Sequence, residues 1–264
     1  MDLKKNKIIK YDLLKNHIDS YERINYNFFV LAPREEDRQV EQLWNNESKF
    51  DRDREYWNRY YSASEGKLSL PSNFATFVTD YLSPEKHLLE LGCGNGRDSV
   101  HFLELGLKVT GIDASDYIVS KLNNSFLNNK NAKFICEDFV KFLPKNEMRY
   151  DYIYSRFTLH AISEVQENHL LNNIKKLLKN QGLFFIEART IRDSLFGMGK
   201  RVNKNAYIYD DHYRRFIDAD EFKVKLRKLE FKIIYFEERN GFSKVNASDP
   251  VLLRCIAQLK KGTV

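Results

Sequence analysis

An apolar run that ends in three alternating glycines constrains the fold of this chain more than any other feature. The segment reads His87-Leu-Leu-Glu-Leu-Gly-Cys-Gly-Asn-Gly-Arg-Asp98, and an amphipathic helical pattern begins immediately after it. Glycines at such a point let the backbone turn sharply at positive φ and approach a ligand closely. The N-terminus of the following helix offers free N–H groups. The segment therefore predicts a strand, a ligand-binding turn and a helix, in that order.

Short apolar runs alternate with longer amphipathic runs from Pro71 onward, which predicts an α/β fold with a mostly parallel sheet. Helices are predicted over 74–82, 98–105, 116–127 and 164–179. Strands are predicted over 88–91, 108–112, 132–136, 152–155, 183–187, 231–237 and 251–258. No long helical pattern separates the last two strands, so they are expected to pair as an antiparallel hairpin at one edge. The predicted fold class is a doubly wound, Rossmann-like seven-stranded sheet, mostly parallel with one antiparallel edge strand.

Composition and charge exclude several other classes of protein. No run approaches the roughly 18 apolar residues that a membrane span needs, and the charged start of the chain lacks the apolar stretch of a secretory signal. A cytoplasmic location and no membrane partner are therefore expected. The formal net charge is +6, but charges of both signs are mixed along most of the chain, which argues against a nucleic-acid partner. The three cysteines are widely spaced, so neither disulfides nor a metal site is expected.

The spacing of the glycines distinguishes between two kinds of ligand-binding turn. A dinucleotide fingerprint reads G-x-G-x-x-G and would need glycine at position 97, where this chain has Arg97. Here the glycines alternate as G-x-G-x-G, and Glu90 stands two residues ahead of the first one. This arrangement resembles the first motif of class I S-adenosylmethionine (SAM)-dependent methyltransferases. The resemblance extends over roughly residues 71–258.

The resemblance implies SAM as the cofactor and S-adenosylhomocysteine (SAH) as its product. Asp113, at the end of the second predicted strand, would hold the ribose hydroxyls or else cap the helix that follows. Asp138 would accept from the adenine amino group with Phe139 beside the ring, and Asp98 would lie near the methionine end or cap a helix. The expected cofactor-binding residues are Tyr61, Glu90, Gly92, Gly94, Gly96, Asp98, Asp113, Ala114, Asp138, Phe139 and Ser155.

An aromatic segment precedes this part of the chain. We expect an N-terminal helical or irregular extension over 1–62 and a methyltransferase domain over 63–264. Trp57, Tyr60 and Tyr61 have the i, i+3 and i+4 spacing that brings side chains together on one face of a helix. Such a helix would either pack on the core or form a lid over the cofactor.

The segment after the fourth predicted strand bears on the acceptor. A DNA or glutamine N-methyltransferase would be expected to show an Asn/Asp-Pro-Pro-Tyr run here, whereas this chain reads Tyr154-Ser-Arg-Phe157. His160 is a candidate general base, or alternatively a histidine at a helix start that the backbone satisfies. Arg156 would hold an anionic acceptor, or else pair with Glu187 or Glu90.

A basic insertion follows the fifth predicted strand, at about 189–218. Seven basic residues against three acidic ones lie between Arg189 and Arg215. Long connections in compact domains are often functional, and arginine offers planar, bidentate donors for carboxylate or phosphate. We expect an acceptor-binding loop, although a solvated basic loop is the alternative. The expected acceptor-binding residues are Arg156, Arg189, Tyr213, Arg214 and Arg215, and His212 joins His160 as a candidate catalytic residue.

The segments 155–160 and 212–216 together resemble methyltransferases of bacterial surface-polysaccharide loci, including the O-methyl phosphoramidate capsule pathway. This resemblance implies methylation of an oxygen on a small anionic acceptor that carries phosphate or carbohydrate. A phosphoryl oxygen would need clamping more than deprotonation, whereas a sugar hydroxyl would need a base. The alternatives are N- or S-methylation of a small metabolite, or an RNA-binding protein with the same fold. The sequence leaves the oligomeric state open.

Overall fold

The fold is given by a computed structural model, which describes residues 48–63, 70–143, 148–210, 212–244 and 248–260. The chain divides into two compact units, Met1–Arg34 and Glu35–Val264. Every described residue belongs to the second unit. The first 47 residues of the predicted extension, and residue 211 of the predicted insertion, lie outside the described residues.

In the described ranges, ten strands form two sheets. The strands are β1 His87–Leu91, β2 Lys108–Asp113, β3 Ala132–Cys136, β4 Tyr150–Arg156, β5 Leu178–Arg189, β6 Lys200–Asn203, β7 Ala206–Tyr209, β8 His212–Arg215, β9 Phe231–Arg239 and β10 Leu252–Leu259. The larger sheet has the order β3-β2-β1-β4-β5-β10-β9, and the smaller one has the order β6-β7-β8.

The larger sheet confirms the predicted fold class. Its first five strands run parallel, whereas β10 runs antiparallel to both β5 and β9. The reversed strand β10 is the inner member of this antiparallel edge pair, so six strands share one direction. In register, Leu91 lies opposite both Ile112 and Ser155, and Asp113 lies opposite Cys136. The segments that follow β1, β2, β3 and β4 therefore meet at one edge of the sheet.

Alternation along the central strands buries both faces of the sheet, as side chains in a strand point to opposite sides. Leu89 and Phe184 pack on one face with residues of helices Glu164–Leu177 (α5) and Ala219–Lys228 (α6). Their neighbours along the strands, Leu88 and Phe185, pack on the other face with helix Asn73–Val78 (α2). Two apolar layers of this kind are what a doubly wound sheet requires.

Six α-helices are described. Besides α2, α5 and α6 they are α1 Ser48–Ala63, α3 Arg97–Glu104 and α4 Asp116–Ser125, and two short 3-10 helices cover Thr79–Tyr81 and Leu159–Ala161. Ser72 caps α2, since its hydroxyl accepts from the Ala75 amide at 3.0 Å. Within the described residues, none of the helices has the length and apolar character to cross a membrane.

The insertion after β5 folds as a small antiparallel sheet rather than as a loop. β6 pairs with β7, and β7 pairs with β8. Val202, Ala206 and Tyr213 are buried together in its centre. A bridge between Thr190 and Ile217 joins the two ends of the insertion. The small sheet is therefore anchored at the end of β5, the edge where the segments after β1 to β4 also meet.

Candidate cofactor and acceptor site

The three glycines form a tight turn between β1 and α3, and each has positive φ. The φ angle is +67° at Gly92, +54° at Gly94 and +78° at Gly96. A Cβ atom at position 94 would lie 2.7 Å from the Tyr61 hydroxyl, and one at position 96 would lie 2.5 Å from a Leu122 methyl group. Only glycine therefore allows other groups to come this close to the backbone of the turn.

The Asp113 carboxylate, at the end of β2, is tied to this turn. Its Oδ2 accepts from the Gly94 amide at 2.9 Å, and its Oδ1 accepts from the Ser115 amide at 3.0 Å. The cap of α4 is Ser115, whose hydroxyl accepts from the Ile118 amide at 3.3 Å, and not Asp113. Burial raises the pKa of Asp113, and the backbone hydrogen bonds oppose this rise. The structure thus places this carboxylate against the glycine turn.

Glu90 and Asp98 are buried behind the turn. Glu90 accepts a hydrogen bond from the Ser99 hydroxyl, and burial together with the nearby Asp98 raises its pKa well above the usual range. Asp98 accepts from the Ser72 amide at 2.7 Å, from the Ser72 hydroxyl at 2.8 Å and from the Tyr154 hydroxyl at 2.9 Å. These contacts join the start of α3 to α2 and β4. The structure therefore gives Asp98 a supporting position, and its contact with a cofactor stays a prediction.

The segment after β3 lies beside the Asp113 loop, because β2 and β3 pair up to Asp113 and Cys136. Asp138 is half-buried, and its Oδ1 accepts from the Val140 amide at 2.9 Å. Phe139 packs against the main core. The carbonyl of Ala114 faces the Cys136 thiol at 3.5 Å. These positions are beside the Asp113 loop, and adenine binding there stays a prediction.

Ser155 is fully buried at the end of β4. Its hydroxyl shares a hydrogen bond with the Thr158 hydroxyl. The Thr158 methyl group would lie 2.6 Å from a Cβ atom at Gly92. Ser155 and Thr158 therefore support the glycine turn from the β4 side.

Helix α1 docks on the loops at this edge through a residue that sequence reasoning missed. Asn58 accepts from the Ser115 hydroxyl at 2.5 Å and donates to the Asp116 carboxylate at 2.7 Å. Tyr61, one turn further along the helix, covers the glycine turn, and its ring stacks on Trp57 at 5.8 Å. Asn58 and Tyr61 have the i, i+3 spacing that places two side chains on one face of a helix, and this spacing could have indicated Asn58 from the sequence.

The same helix contacts the small sheet. The Tyr56 ring stacks on the His212 ring at 5.2 Å, and Trp57 meets His212 edge-on at 6.0 Å. Helix α1 thus extends from the glycine turn to β8. Both predicted arrangements fit this position, because α1 packs on the rest of the domain and also covers the glycine turn.

His160 lies in the short 3-10 helix after β4. Its Nδ1 is buried and has no hydrogen-bond partner among the described residues. Burial lowers the pKa of His160 well below its usual value, and the nearby Arg189, His212, Arg214 and Arg215 lower it further. The imidazole is therefore neutral at neutral pH. A neutral ring with a free nitrogen suits a general base better than the alternative of a histidine satisfied by backbone.

Alternation along β8 separates the four insertion residues that were predicted to act together. His212 and Arg214 are half-buried, whereas Tyr213 and Arg215 are buried on the opposite side of the strand. Tyr213 was predicted to bind the acceptor, but the structure places it in the core of the small sheet. A period of two in a strand predicts this division.

Arg215 is likewise a structural residue and not a clamp. Its guanidinium pairs with the buried Glu167 of α5, and it donates to the carbonyl groups of Ile162 at 2.9 Å and Leu159 at 3.2 Å. These contacts hold the 3-10 helix of His160 between β8 and α5. The basic composition of the insertion could not show that one of its arginines is used inside the fold.

Arg189 and Arg214 remain as the cationic pair near His160. Arg189 pairs with Asp193 at 2.8 Å, and Arg214 donates to the Tyr209 carbonyl at 3.0 Å. Burial and the proximity of Arg189 lower the pKa of Arg214. An anion bound between the two guanidiniums would relieve their mutual repulsion.

Arg156 takes the scaffolding role that the sequence left open. It pairs with the buried Glu187 at 3.1 Å and donates to the Ser243 hydroxyl at 3.2 Å. Its guanidinium also lies 4.2 Å from the ring centre of Phe157, a non-glycine residue with φ of +59°. Such backbone strain is common at functional sites, and the Phe157 ring lies 5.5 Å from that of His160. Phe157 is thus a second site residue that sequence reasoning missed.

Comparison with known proteins agrees with this geometry. A family model described as a methyltransferase domain matches residues 56–235. An uncharacterized methyltransferase from Synechocystis is 27% identical over 103 residues, which is 39% of this chain and 47% of that protein. The chain therefore spans about half the length of this relative. A ubiquinone biosynthesis O-methyltransferase from Coxiella burnetii is 26% identical over 183 residues, covering 68% of this chain and 70% of the relative.

Solved structures share the fold. A SAM-dependent methyltransferase from Methanosarcina mazei superposes with a TM-score of 0.58 at 16% identity, covering 70% of this chain and 98% of that one. The 1,6-didemethyltoxoflavin-N1-methyltransferase from Burkholderia thailandensis gives a TM-score of 0.59 at 17% identity, covering 85% and 89%. Since the family model spans more than half of the chain, from α1 into β9, the chain belongs to the methyltransferase domain family.

Proposed function

We propose that this protein transfers a methyl group from SAM to an oxygen of a small anionic acceptor. SAM, when bound, supplies an electrophilic methyl carbon on a sulfonium sulfur. The observation that carries the proposal is the position of a buried, neutral His160 next to Arg189 and Arg214, beside the glycine turn of a methyltransferase domain. Helix α1, the last described part of the N-terminal extension, serves as the lid that joins the two halves of the site.

The residues at the glycine turn fit SAM. No side chain can be built at Gly94 or Gly96, because Tyr61 and Leu122 lie against the backbone of the turn. The Asp113 carboxylate, which already accepts two amide hydrogens, has lone pairs left for ribose hydroxyls. Asp138 and Phe139 follow at the adjacent strand end, where an adenine would lie. The solved Burkholderia relative is described with SAH bound, which supports the same cofactor here.

The acceptor half favours oxygen over nitrogen or sulfur. Hydroxyl groups are far weaker acids than thiols, and a neutral amine already has a free electron pair, so a hydroxyl gains most from a general base. His160 offers such a base in its neutral form. The relationship to an O-methyltransferase of ubiquinone biosynthesis supports oxygen, whereas the toxoflavin relative methylates nitrogen.

The arginines favour an acceptor that carries a negative charge. Arg189 and Arg214 approach each other from β5 and β8, and burial lowers the pKa of Arg214. A carboxylate or phosphate would pair with both guanidiniums. We therefore infer a phosphate- or carbohydrate-bearing acceptor, with a precursor of bacterial surface polysaccharide as the class to which residues 155–160 and 212–216 point.

The experiment that tests this function identifies the methylated atom. The protein is incubated with methyl-carbon-13 SAM and a polar small-molecule extract of its host, and carbon and phosphorus NMR spectra are recorded. A new methyl signal at an oxygen-bound shift is expected. Coupling to phosphorus would mark a phosphoryl oxygen, and its absence a sugar or other hydroxyl. Nitrogen- or sulfur-bound methyl signals alone, or no SAH binding by calorimetry, would contradict the proposal.

A further inference from the structure

Most of the arginines near His160 are paired with a carboxylate, and Arg214 is the exception among the described residues. Arg156 pairs with Glu187, Arg189 with Asp193, and Arg215 with Glu167. In the part of the chain that the structure describes, no carboxylate lies within ion-pairing distance of Arg214. The charged and titratable groups that act on His160 are Arg189 of β5 and His212, Arg214 and Arg215 of β8. Arg215 also donates to the carbonyl groups of Leu159 and Ile162, which are close to His160 in the chain.

These cations act on the imidazole itself. Arg189, Arg214 and Arg215 each oppose protonation of His160, after burial, which is the largest cause of its lowered pKa. A base that resists protonation also takes the proton of the substrate hydroxyl poorly. The ring in this state is neutral, which is the form that a base needs, and the cations that face it lower its proton affinity.

We propose that an anionic group of the acceptor, bound between Arg189 and Arg214, is what makes His160 an effective base. This inference rests on the proposed function and specifies its acceptor: a small molecule whose anionic group and methylated hydroxyl are separate. The anion neutralises the cations that face the imidazole and adds a negative charge of its own. An opposite charge within about 4–6 Å raises the pKa of a cationic acid by about 1–3 units.

The resulting step balances in atoms and charge. The acceptor hydroxyl gives its proton to the imidazole of His160 while its oxygen bonds to the methyl carbon. The carbon–sulfur bond breaks and its electron pair stays on sulfur, so a neutral thioether is released and the imidazolium returns its proton to water. A neutral molecule with the same hydroxyl would leave His160 a weak base and would be methylated poorly, which gives the site its selectivity.

The test is an NMR titration of the histidine ring signals from about pH 8 down to the lowest pH at which the protein stays folded, with sulfate as the probe because it keeps its negative charge over that range. His160 and His212 signals are assigned from the His160→Gln and His212→Gln variants. Sulfate is expected to raise the pKa of His160 by about one unit or more, a tenfold gain in proton affinity. Sodium chloride at the same ionic strength should not.

Two variants locate the effect. Arg214→Gln should raise the pKa of His160 without sulfate and abolish the response to it. Arg192→Gln, in the same insertion with a side chain 71% exposed, should leave both unchanged. A His160 that does not respond to sulfate, or an Arg214→Gln protein that responds as before, would overturn the inference. SAH affinity is measured on the same sample, and its loss would contradict methyl transfer itself rather than this coupling.

Discussion

The hydroxyl of Tyr61 lies over Gly94, so that a Cβ atom at position 94 would be only 2.7 Å from it. Helix α1 is therefore held against the glycine turn at a point where the turn has no side chain. Gly94 also donates its amide hydrogen to Asp113. One glycine thus touches helix α1 on one side and the carboxylate of β2 on the other.

Replacing Gly94 by alanine tests this contact. The left-handed φ of +54° costs an L-residue about 1–2 kcal/mol of unfolding free energy, and the new Cβ must displace Tyr61, so SAH binding should weaken as well. Gly197→Ala is the matched control, because its φ is +86° but nothing lies within 4 Å of its Cβ position. Denaturant unfolding and calorimetry with SAH check both variants. Equal SAH affinities would show that the contact is irrelevant to the cofactor.

Asp113→Ala should weaken SAH binding about 10- to 100-fold, since a hydrogen bond to a charged group contributes about 1.5–3 kcal/mol. Asp113→Asn keeps an acceptor for one amide and should fall between this variant and the wild type. Glu137→Ala removes an exposed acid after β3 and serves as the control. Calorimetric affinities give the comparison, and circular dichroism verifies the fold. An Asp113→Ala protein with wild-type affinity would remove Asp113 from the cofactor site.

Arg215→Gln should lower the stability of the protein, whereas Arg214→Gln should impair use of the acceptor, although the two residues are neighbours. Arg215→Gln leaves the buried Glu167 paired with Lys225 alone and removes the donors to the Ile162 and Leu159 carbonyl groups, which costs about 1–3 kcal/mol of unfolding free energy for each buried acceptor left unsatisfied. Arg214→Gln should change stability by less than about 1 kcal/mol and keep SAH affinity, while it raises the acceptor's apparent KM. Urea unfolding separates the two. If Arg214→Gln proves the more destabilising variant, the division of β8 into a structural and a functional side is wrong.

The depressed pKa of His160 predicts a pH-dependent stability. Between its lowered folded pKa and the ordinary value near 6.5, the unfolded chain binds a proton that the folded protein does not. The free energy of unfolding should therefore fall as the pH drops below about 6.5, with a slope of at most about 1.4 kcal/mol per pH unit from this group. His160→Gln should reduce that slope, and His169→Gln, an exposed histidine of α5, should keep it. Identical slopes in all three proteins would contradict the burial of a neutral His160.

The sheet and the glycine turn could be predicted because their signals are local. Strand–helix alternation, the G-x-G-x-G spacing and an acid after each strand are all written in short segments. Helix α6 was missed although Ala219, Phe222 and Leu226 have helical spacing and Asp218 accepts from two amides at its start. Its pattern was weaker because charged residues fill most of the positions between them.

The acceptor half was less predictable because it depends on pairing across long distances. Arg215 was expected to bind the acceptor, yet its partner Glu167 lies 48 residues away. For Arg156 the sequence left acceptor binding and pairing with Glu187, 31 residues away, both open. The insertion was expected as a loop, and only its fold as a sheet places Arg214 and Arg215 on opposite sides of β8. Composition counts charges, whereas tertiary contacts decide which of them remain for a ligand.

Asn58 offers the sharpest test of the lid. Its side chain accepts from Ser115 and donates to Asp116, and two such hydrogen bonds contribute about 1–3 kcal/mol to docking of α1. Asn58→Ala should therefore weaken SAH binding about 5- to 100-fold and speed trypsin cleavage at Arg59, with SAH restoring protection. Ser62→Ala removes only a hydrogen bond within α1 and is the control. Asn58 joins α1 to the loop around Asp113, so a loss of SAH affinity together with faster cleavage would support a role of α1 in cofactor binding. Unchanged affinity with faster cleavage would make α1 a packing helix that the cofactor does not need.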